Sequence, residues 1–258
     1  MSKNFELLQR AEFGFGVAPT FSPGIDAGEI GNVATANVAA MPEEVLASLV
    51  PEVREEALKL VQRLFLLSNK PAPKAVVFAG VDTNAGCYWL ASVAAKILAK
   101  SVPGSVCLVD GNFRQPCTRD FLGSDRDRGF VDALKMDGPI GQFAKPSGPD
   151  SLWLLSAGTP FHDSVVLLNS DRMRERVAEL RGQFDYLIFN APPLSSFADA
   201  MVLGRTADGV VLVLEANLTR REAALRVTEN LRMTGIPVLG AVLNNRTFPI
   251  PEAVYKRL

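Results

Sequence analysis

The chain is predicted to fold as an α/β protein, a doubly wound and mostly parallel sheet with helices on both faces. Three observations predict it. Short apolar runs alternate with amphipathic stretches from about residue 52 onward. Several runs are almost continuously apolar, as strands covered on both faces require. The stretches between them repeat apolar residues at helical spacing, the order that builds β-α units. With 258 residues, 48% of them hydrophobic and 21% charged, the chain is long enough to bury such a core.

The elements follow in order. Residues 1–50 read as an arm or linker. A short helix is predicted at 4–11, and residues 14–40 are rich in Gly, Ala and Pro without sustained periodicity. Gly14-Phe-Gly16 has the look of a dinucleotide loop, but no strand precedes it and Pro19 stands where a third Gly belongs. The α/β domain spans 51–258. It opens with a helix over 52–68 that lines up Val53, Ala57, Leu60, Leu64 and Leu67 on one face and pairs Glu55 with Lys59. Strands are predicted at 75–79, 105–109, 152–155, 186–189, 209–214 and 238–243. Helices are predicted at 88–100, 170–181, 197–205 and 219–233. The last opens on a capping box, Thr219 to Glu222, and stops at Gly235 with Pro237 beyond.

Composition excludes several function classes. Lys and Arg number 27 against 28 Asp and Glu, a net charge of −1 that argues against broad nucleic-acid binding. A single His, His162, rules out His-pair zinc motifs and reads as a surface-loop residue. The three cysteines, Cys87, Cys107 and Cys117, show no metal-ligand spacing and read as reduced thiols. Cys87, at a helix start, also allows a redox reading, which burial would remove. No apolar run approaches the roughly 20 residues that span a bilayer. The first residues lack a signal-peptide pattern. The expectation is a cytoplasmic protein that reaches a membrane only through a partner.

In a doubly wound sheet, ligands bind beyond the carboxyl ends of the strands. Three strand ends carry unusual residues. The first runs Gly80-Val-Asp-Thr-Asn-Ala-Gly86-Cys87-Tyr88 into an Ala-rich helix. The second runs Asp110-Gly-Asn112-Phe-Arg114-Gln-Pro116, and a third runs Asn190-Ala-Pro192-Pro193. Singly, each has a bland explanation: a glycine turn, a capping Asp, a proline pair that ends a strand. Together, in this order, they are far more specific.

This set resembles the cytoplasmic kinase domain of the bacterial tyrosine kinases of capsule and exopolysaccharide systems, relatives of the MinD/ParA P-loop ATPases. The similarity runs from about Glu52 to Leu243. Asp110-x-Asn112-x-Arg114 stands where the family has Asp-x-Asp-x-Arg. The segment from Phe184 to Pro193 stands where it has a Walker B strand ending Asp-Thr-Pro-Pro. Ser170-Asp-Arg-Met-Arg, Phe197-Ala-Asp199-Ala and Ala207-Asp208-Gly209 are also similar, as is Gly240-Ala-Val-Leu-Asn244, where the family places an Asn near the adenine. The resemblance implies a P-loop fold, ATP and Mg²⁺ as cofactors, and Gly80, Gly86, Cys87, Tyr88, Arg114 and Asn244 at the nucleotide positions. It also implies a tyrosine-rich tail as phosphoacceptor, of which Tyr255 is the counterpart. Finally, it implies a subunit ring through a Glu-x-x-Arg-x-x-Arg helix, whose positions here are Glu56, Lys59 and Gln62. Lys does not replace Arg in bidentate pairing and Gln is uncharged, so packing of that helix on its own sheet is the competing reading.

The departures fall on the catalytic positions. A P-loop needs Gly-x-x-x-x-Gly-Lys-Ser/Thr to cradle phosphates, contact them with a cation and hold Mg²⁺. Here Val81 takes the first Gly position with Gly80 one place early, Cys87 takes the Lys position and Tyr88 the hydroxyl position. Asn112 and Asn190 replace two carboxylates, leaving Asp110 as the retained acid and the one candidate metal ligand. Phosphoryl transfer depends on positioning and charge stabilisation, and the loss of one transition-state donor costs on the order of 10²–10³ in rate. Mg²⁺ also prefers anionic oxygens to amides. The expectation is a kinase-like regulatory protein, catalytically degenerate, that binds the tail of a membrane polysaccharide co-polymerase or an active kinase paralogue. Two other readings stand beside it: an active tyrosine autokinase with a non-standard site, and a MinD/ParA-type positioning ATPase.

Overall fold

The computed structural model describes residues 17–18, 51–67, 71–82, 86–116, 128–147, 151–159, 161 and 163–245. The helix expected at 4–11, the Gly14/Gly16 pair, Cys117, His162 and Tyr255 lie outside them.

Among the described residues eight strands form one sheet: β1 (Val17–Ala18), β2 (Ala75–Gly80), β3 (Val106–Asp110), β4 (Lys145–Pro146), β5 (Leu152–Leu155), β6 (Tyr186–Ala191), β7 (Gly209–Glu215) and β8 (Val238–Asn244). Their order is β1-β8-β7-β2-β6-β3-β5-β4. All neighbours are parallel except β4 and β5. The six predicted strands are present, most of them a residue or two longer. The two-residue β1 and β4 were not foreseen, because two residues carry no periodicity. β1 ties the arm to the sheet edge, Val17 opposite Ala241 and Ala18 opposite Val242.

The helices are α1 (Pro51–Val61), α2 (Cys87–Ser101), α3 (Phe130–Lys135), α4 (Ser164–Leu168), α5 (Asp171–Gln183), α6 (Asp199–Thr206) and α7 (Arg221–Met233). Among the described residues, none is long and apolar enough to cross a membrane. Alternate strand residues face opposite ways, and two cores result. Val76, Phe78, Leu108, Ile188 and Val211 share one cluster with α1 and α2. Val77, Val109, Phe189 and Leu212 share the other with residues of α3, α5, α6 and α7. Burial on both faces explains the continuous apolar runs.

Three expectations need correction. The helix predicted over 52–68 is α-helical only to Val61; residues Gln62–Leu66 form a π turn, closed by Leu67 N–H on the Gln62 carbonyl at 2.7 Å. The wider turn shifts the face, so Leu64 and Phe65 are buried while Leu67, expected inside, is 68% exposed. The capping box at Thr219 does not form, and Arg220 is the N-cap. The Thr219 hydroxyl instead accepts from Glu215 N–H and donates to Asp82, both at 2.9 Å. The helix predicted from 197 begins at Asp199, because turns closed on the Pro193 carbonyl by Ser196 and Phe197 come first. The helices α3 and α4, six and five residues long, were too short to be predicted.

Candidate functional site

Parallel strands β2, β3 and β6 are adjacent, so their carboxyl ends open at one edge. β2 leaves the sheet at Gly80, and Val81 N–H still bonds the Val213 carbonyl at 3.1 Å. Asp82 then accepts the Thr219 hydroxyl, which puts a carboxylate into the turn that would cradle phosphate. Gly86 is the N-cap of α2 at φ 66°, a left-handed conformation that favours glycine. A Cβ there would stand 2.7 Å from Asn244 Nδ2, so the Asn244 amide lies directly against the helix start. Cys87 and Tyr88 are buried members of the α1/α2 cluster, 2% and 5% exposed. The position expected to carry a cation holds a thiol inside the core, and burial disposes of the redox reading too.

Asp110 ends β3 directly opposite Asn190 of β6. Both are buried. Asn190 Nδ2 donates to Asp110 Oδ1 at 2.9 Å, and Asn112 N–H donates to the same oxygen at 3.1 Å. The Asn112 side chain turns the other way, accepting Gln115 N–H at 3.2 Å and closing the local turn. Gly111 N–H bonds the Asn190 carbonyl at 2.8 Å, and a Cβ on Gly111 would stand 2.7 Å from Leu203.

Arg114 is engaged by α6 and the turn before it. Its Nε bonds Asp199 Oδ2 at 3.1 Å, and its guanidinium lies 4.7 Å from the centre of the Phe197 ring. The same Asp199 oxygen accepts the Ser164 hydroxyl at 2.5 Å, while Asp199 Oδ1 is buried without a hydrogen-bond partner. Arg114 is therefore a strut joining the loop after β3 to α4 and α6. The loop after β6 closes the edge: Leu194 and Ser195 N–H groups bond the Gly80 and Val81 carbonyls, both at 2.9 Å.

The edge thus gathers Gly80, Gly86, Asp110, Asn112, Asn190 and Asn244, while Arg114 pairs with Asp199 and Cys87 and Tyr88 are buried in the α1/α2 cluster. Sequence reasoning missed Asp82, Ser164 and Asp199 as partners here. An acid two residues past a strand end was the available signal for Asp82; for Ser164 there was none.

These residues do not fit a Mg²⁺ ion. Among the described residues no group of three or more His, Cys, Asp or Glu is gathered. Asp110 Oδ1 already takes two N–H donors, and Asn190 presents a donor where a cation needs an acceptor.

Glu56, Lys59 and Gln62 lie on α1 and its π turn. Lys59 pairs with Glu56 at 2.8 Å and with Glu55 at 3.2 Å, within its own helix.

No protein-family model matches this chain. It is 30% identical to the tyrosine-protein kinase YwqD of Bacillus subtilis over 141 residues, which are 55% of this chain and 60% of that protein. It is 25% identical to the tyrosine-protein kinase wzc of Salmonella typhimurium over 170 residues, 66% of this chain but 24% of that longer protein. In structure it resembles the kinase domain of the Escherichia coli tyrosine kinase ETK, with a TM-score of 0.74 at 19% identity over 92% of this chain and 94% of that one. It also resembles the MinC:MinD cell division complex of Aquifex aeolicus, with a TM-score of 0.55 at 20% identity over 71% of this chain and 72% of that one. The chain is a homologue of the bacterial tyrosine kinases, built on the P-loop ATPase fold that they share with MinD- and ParA-type proteins.

Proposed function

We propose that this chain is a kinase-like regulatory protein of capsule or exopolysaccharide biosynthesis and export, and that it acts by binding a protein rather than by phosphoryl transfer. Residues 51–258 are the kinase-like unit. The partner is the cytoplasmic tail of a membrane polysaccharide co-polymerase or an active kinase paralogue, which recruits the chain to the inner face of the membrane. A homo-oligomer through the Glu56 helix belongs to the same reading.

The observation that carries it is the amide of Asn190 on the Asp110 carboxylate. A kinase needs cationic charge at this spot to neutralise the transferring phosphate. Here the carboxylate is satisfied by neutral N–H groups, the lysine position is a buried cysteine, and Asp82 adds an anion to the turn. Each change opposes binding of a triphosphate with its metal.

The tyrosine-autokinase reading draws on the names of the relatives. One experiment separates the two. The purified chain is incubated with radiolabelled ATP and Mg²⁺, then with the co-polymerase tail. The expected result is no phosphotyrosine and tail binding that is unchanged by ATP. Label on Tyr255 that disappears in Asp110→Ala would overturn the regulatory reading.

A further inference from the structure

Where the resemblance implies two acids, this chain sets an amide against an acid. We propose that the Asn190–Asp110 hydrogen bond replaces the metal, and that the carboxyl edge of the sheet is latched by its own side chains in one shape that neither Mg²⁺ nor nucleotide alters. The proposal rests on the non-catalytic reading above and says what the site does instead.

The geometry is direct. Positions 110 and 190 are opposite one another on adjacent strands, at most 2% exposed, with Asn190 Nδ2 and Asp110 Oδ1 2.9 Å apart. Two buried carboxylates at that distance repel, and a proton or a cation must lie between them. The amide supplies an N–H in that place, and Asn112 N–H adds a second to the same oxygen. The edge is tied elsewhere in the same way. Thr219 on Asp82 joins the β2 turn to the loop after β7. Leu194 and Ser195 fasten the loop after β6 to Gly80 and Val81. Asp199 holds both Arg114 and Ser164, joining the loop after β3 to α4 and α6.

In nucleotide switches, a phosphate and its metal hold such loops and release them on hydrolysis. In this chain each of these ties runs between groups of the chain itself. A ligand can move an equilibrium only as far as its affinities for the two states differ. With the Asp110 oxygen already taken by two N–H groups, Mg²⁺ has no state to favour, and the tied residues at the strand ends keep one arrangement toward a protein partner at all times.

The test is thermal melting of the full chain in EDTA, in Mg²⁺ or Mn²⁺, and in Mg²⁺ with ATP. Two variants are melted beside it: N190D, and D110N/N190D, in which acid and amide change places. The wild type should melt at one temperature throughout, because a ligand that does not bind the native state adds no stability. N190D should melt several degrees lower in EDTA and recover in Mn²⁺, since its paired acids now need a cation. The exchanged pair should melt near the wild type without metal. A wild-type melting temperature that rises with Mg²⁺ or Mg²⁺-ATP overturns the latch, whether or not N190D folds. So does an N190D as stable as the wild type in EDTA. Amide hydrogen exchange at Gly111, Asn112, Leu194 and Ser195 gives an independent readout: equal protection with and without Mg²⁺-ATP is expected, and a slowing of roughly tenfold would count against the latch. Metal-dependent melting without phosphoryl transfer sinks the latch and leaves the non-catalytic reading standing. Phosphoryl transfer by the wild type sinks both, because the latch rests on that reading.

Discussion

Between an amide and a carboxylate at position 190, one NH₂ group decides what the buried Asp110 meets. The amide was legible in the amino-acid sequence, because the strand and the Pro192-Pro193 pair mark the place. Its partner was not, since the two residues are 80 apart in the chain. Arg176 shows the same limit more strongly. It sits in α5 as one of several arginines, with nothing local to single it out, yet its side chain is 1% exposed. It donates to the carbonyls of Ala133, Gly138 and Met136 at 2.9, 2.7 and 2.7 Å, and to Glu179 at 2.8 Å. It thus satisfies carbonyls at and just beyond the end of α3. Arg176→Met takes the side-chain donor from the Ala133 and Gly138 carbonyls and leaves Met136 only Arg172, at 3.2 Å, and equilibrium denaturation should read a loss of about 3–5 kcal/mol.

At the scale of elements, α2 begins inside the core. Its first two residues are buried, and Tyr88 packs among the side chains of the α1 and α2 cluster. Tyr88→Ser, the change that brings position 88 back to the family pattern, should cost about 3–5 kcal/mol in urea denaturation, as loss of a buried ring does. Gly86→Ala should cost about 1–2 kcal/mol, because an L-residue is strained at φ 66° and its Cβ would press on Asn244. The conservative change at 86 and the restoring change at 88 are both expected to weaken the fold. The boundaries of α1 and α7 missed for a related reason. Periodicity placed both helices, but the π turn after Val61 and the diversion of the Thr219 hydroxyl to Asp82 depend on contacts that periodicity does not contain.

Over the whole molecule, the two ends of the sheet are held by different means. At the carboxyl edge the ties are those already described. At the opposite edge, acids clasp strand starts. Asp208 accepts Lys74 and Ala75 N–H at 2.7 and 2.8 Å and pairs with Arg181 at 2.8 Å. Asp185 accepts Ser105 N–H and its hydroxyl at 2.8 and 3.0 Å. Burial raises the Asp208 carboxyl, but Arg181 and the two N–H groups together outweigh it, and the net is below the usual 3.8. Asp185 is lowered by its bonds to Ser105. A carboxyl lowered in the folded state contributes stability that is whole above its unfolded value and is lost as pH falls through the folded one. Stability should therefore hold down to about pH 4 and decline below it. In Asp208→Asn the chain should be less stable at neutral pH and the decline shallower. Denaturation midpoints measured across that range check both.

What the sequence by itself determined is local: the alternation of strands and helices, most element positions to within a residue or two, and which residue types stand at the strand ends, Cys87, Tyr88, Asn112 and Asn190 among them. Residue type and periodicity are carried by neighbours in the chain, so no fold is needed to read them. Only the tertiary structure decided that β2, β6 and β3 are adjacent, that Asn190 donates to Asp110, that Asp199 takes Arg114, and that Cys87 and Tyr88 face the core. Those contacts follow from strand order and register, which bring together side chains that are distant in sequence. The physical character of the site, an edge tied by its own hydrogen bonds, lies in that pairing.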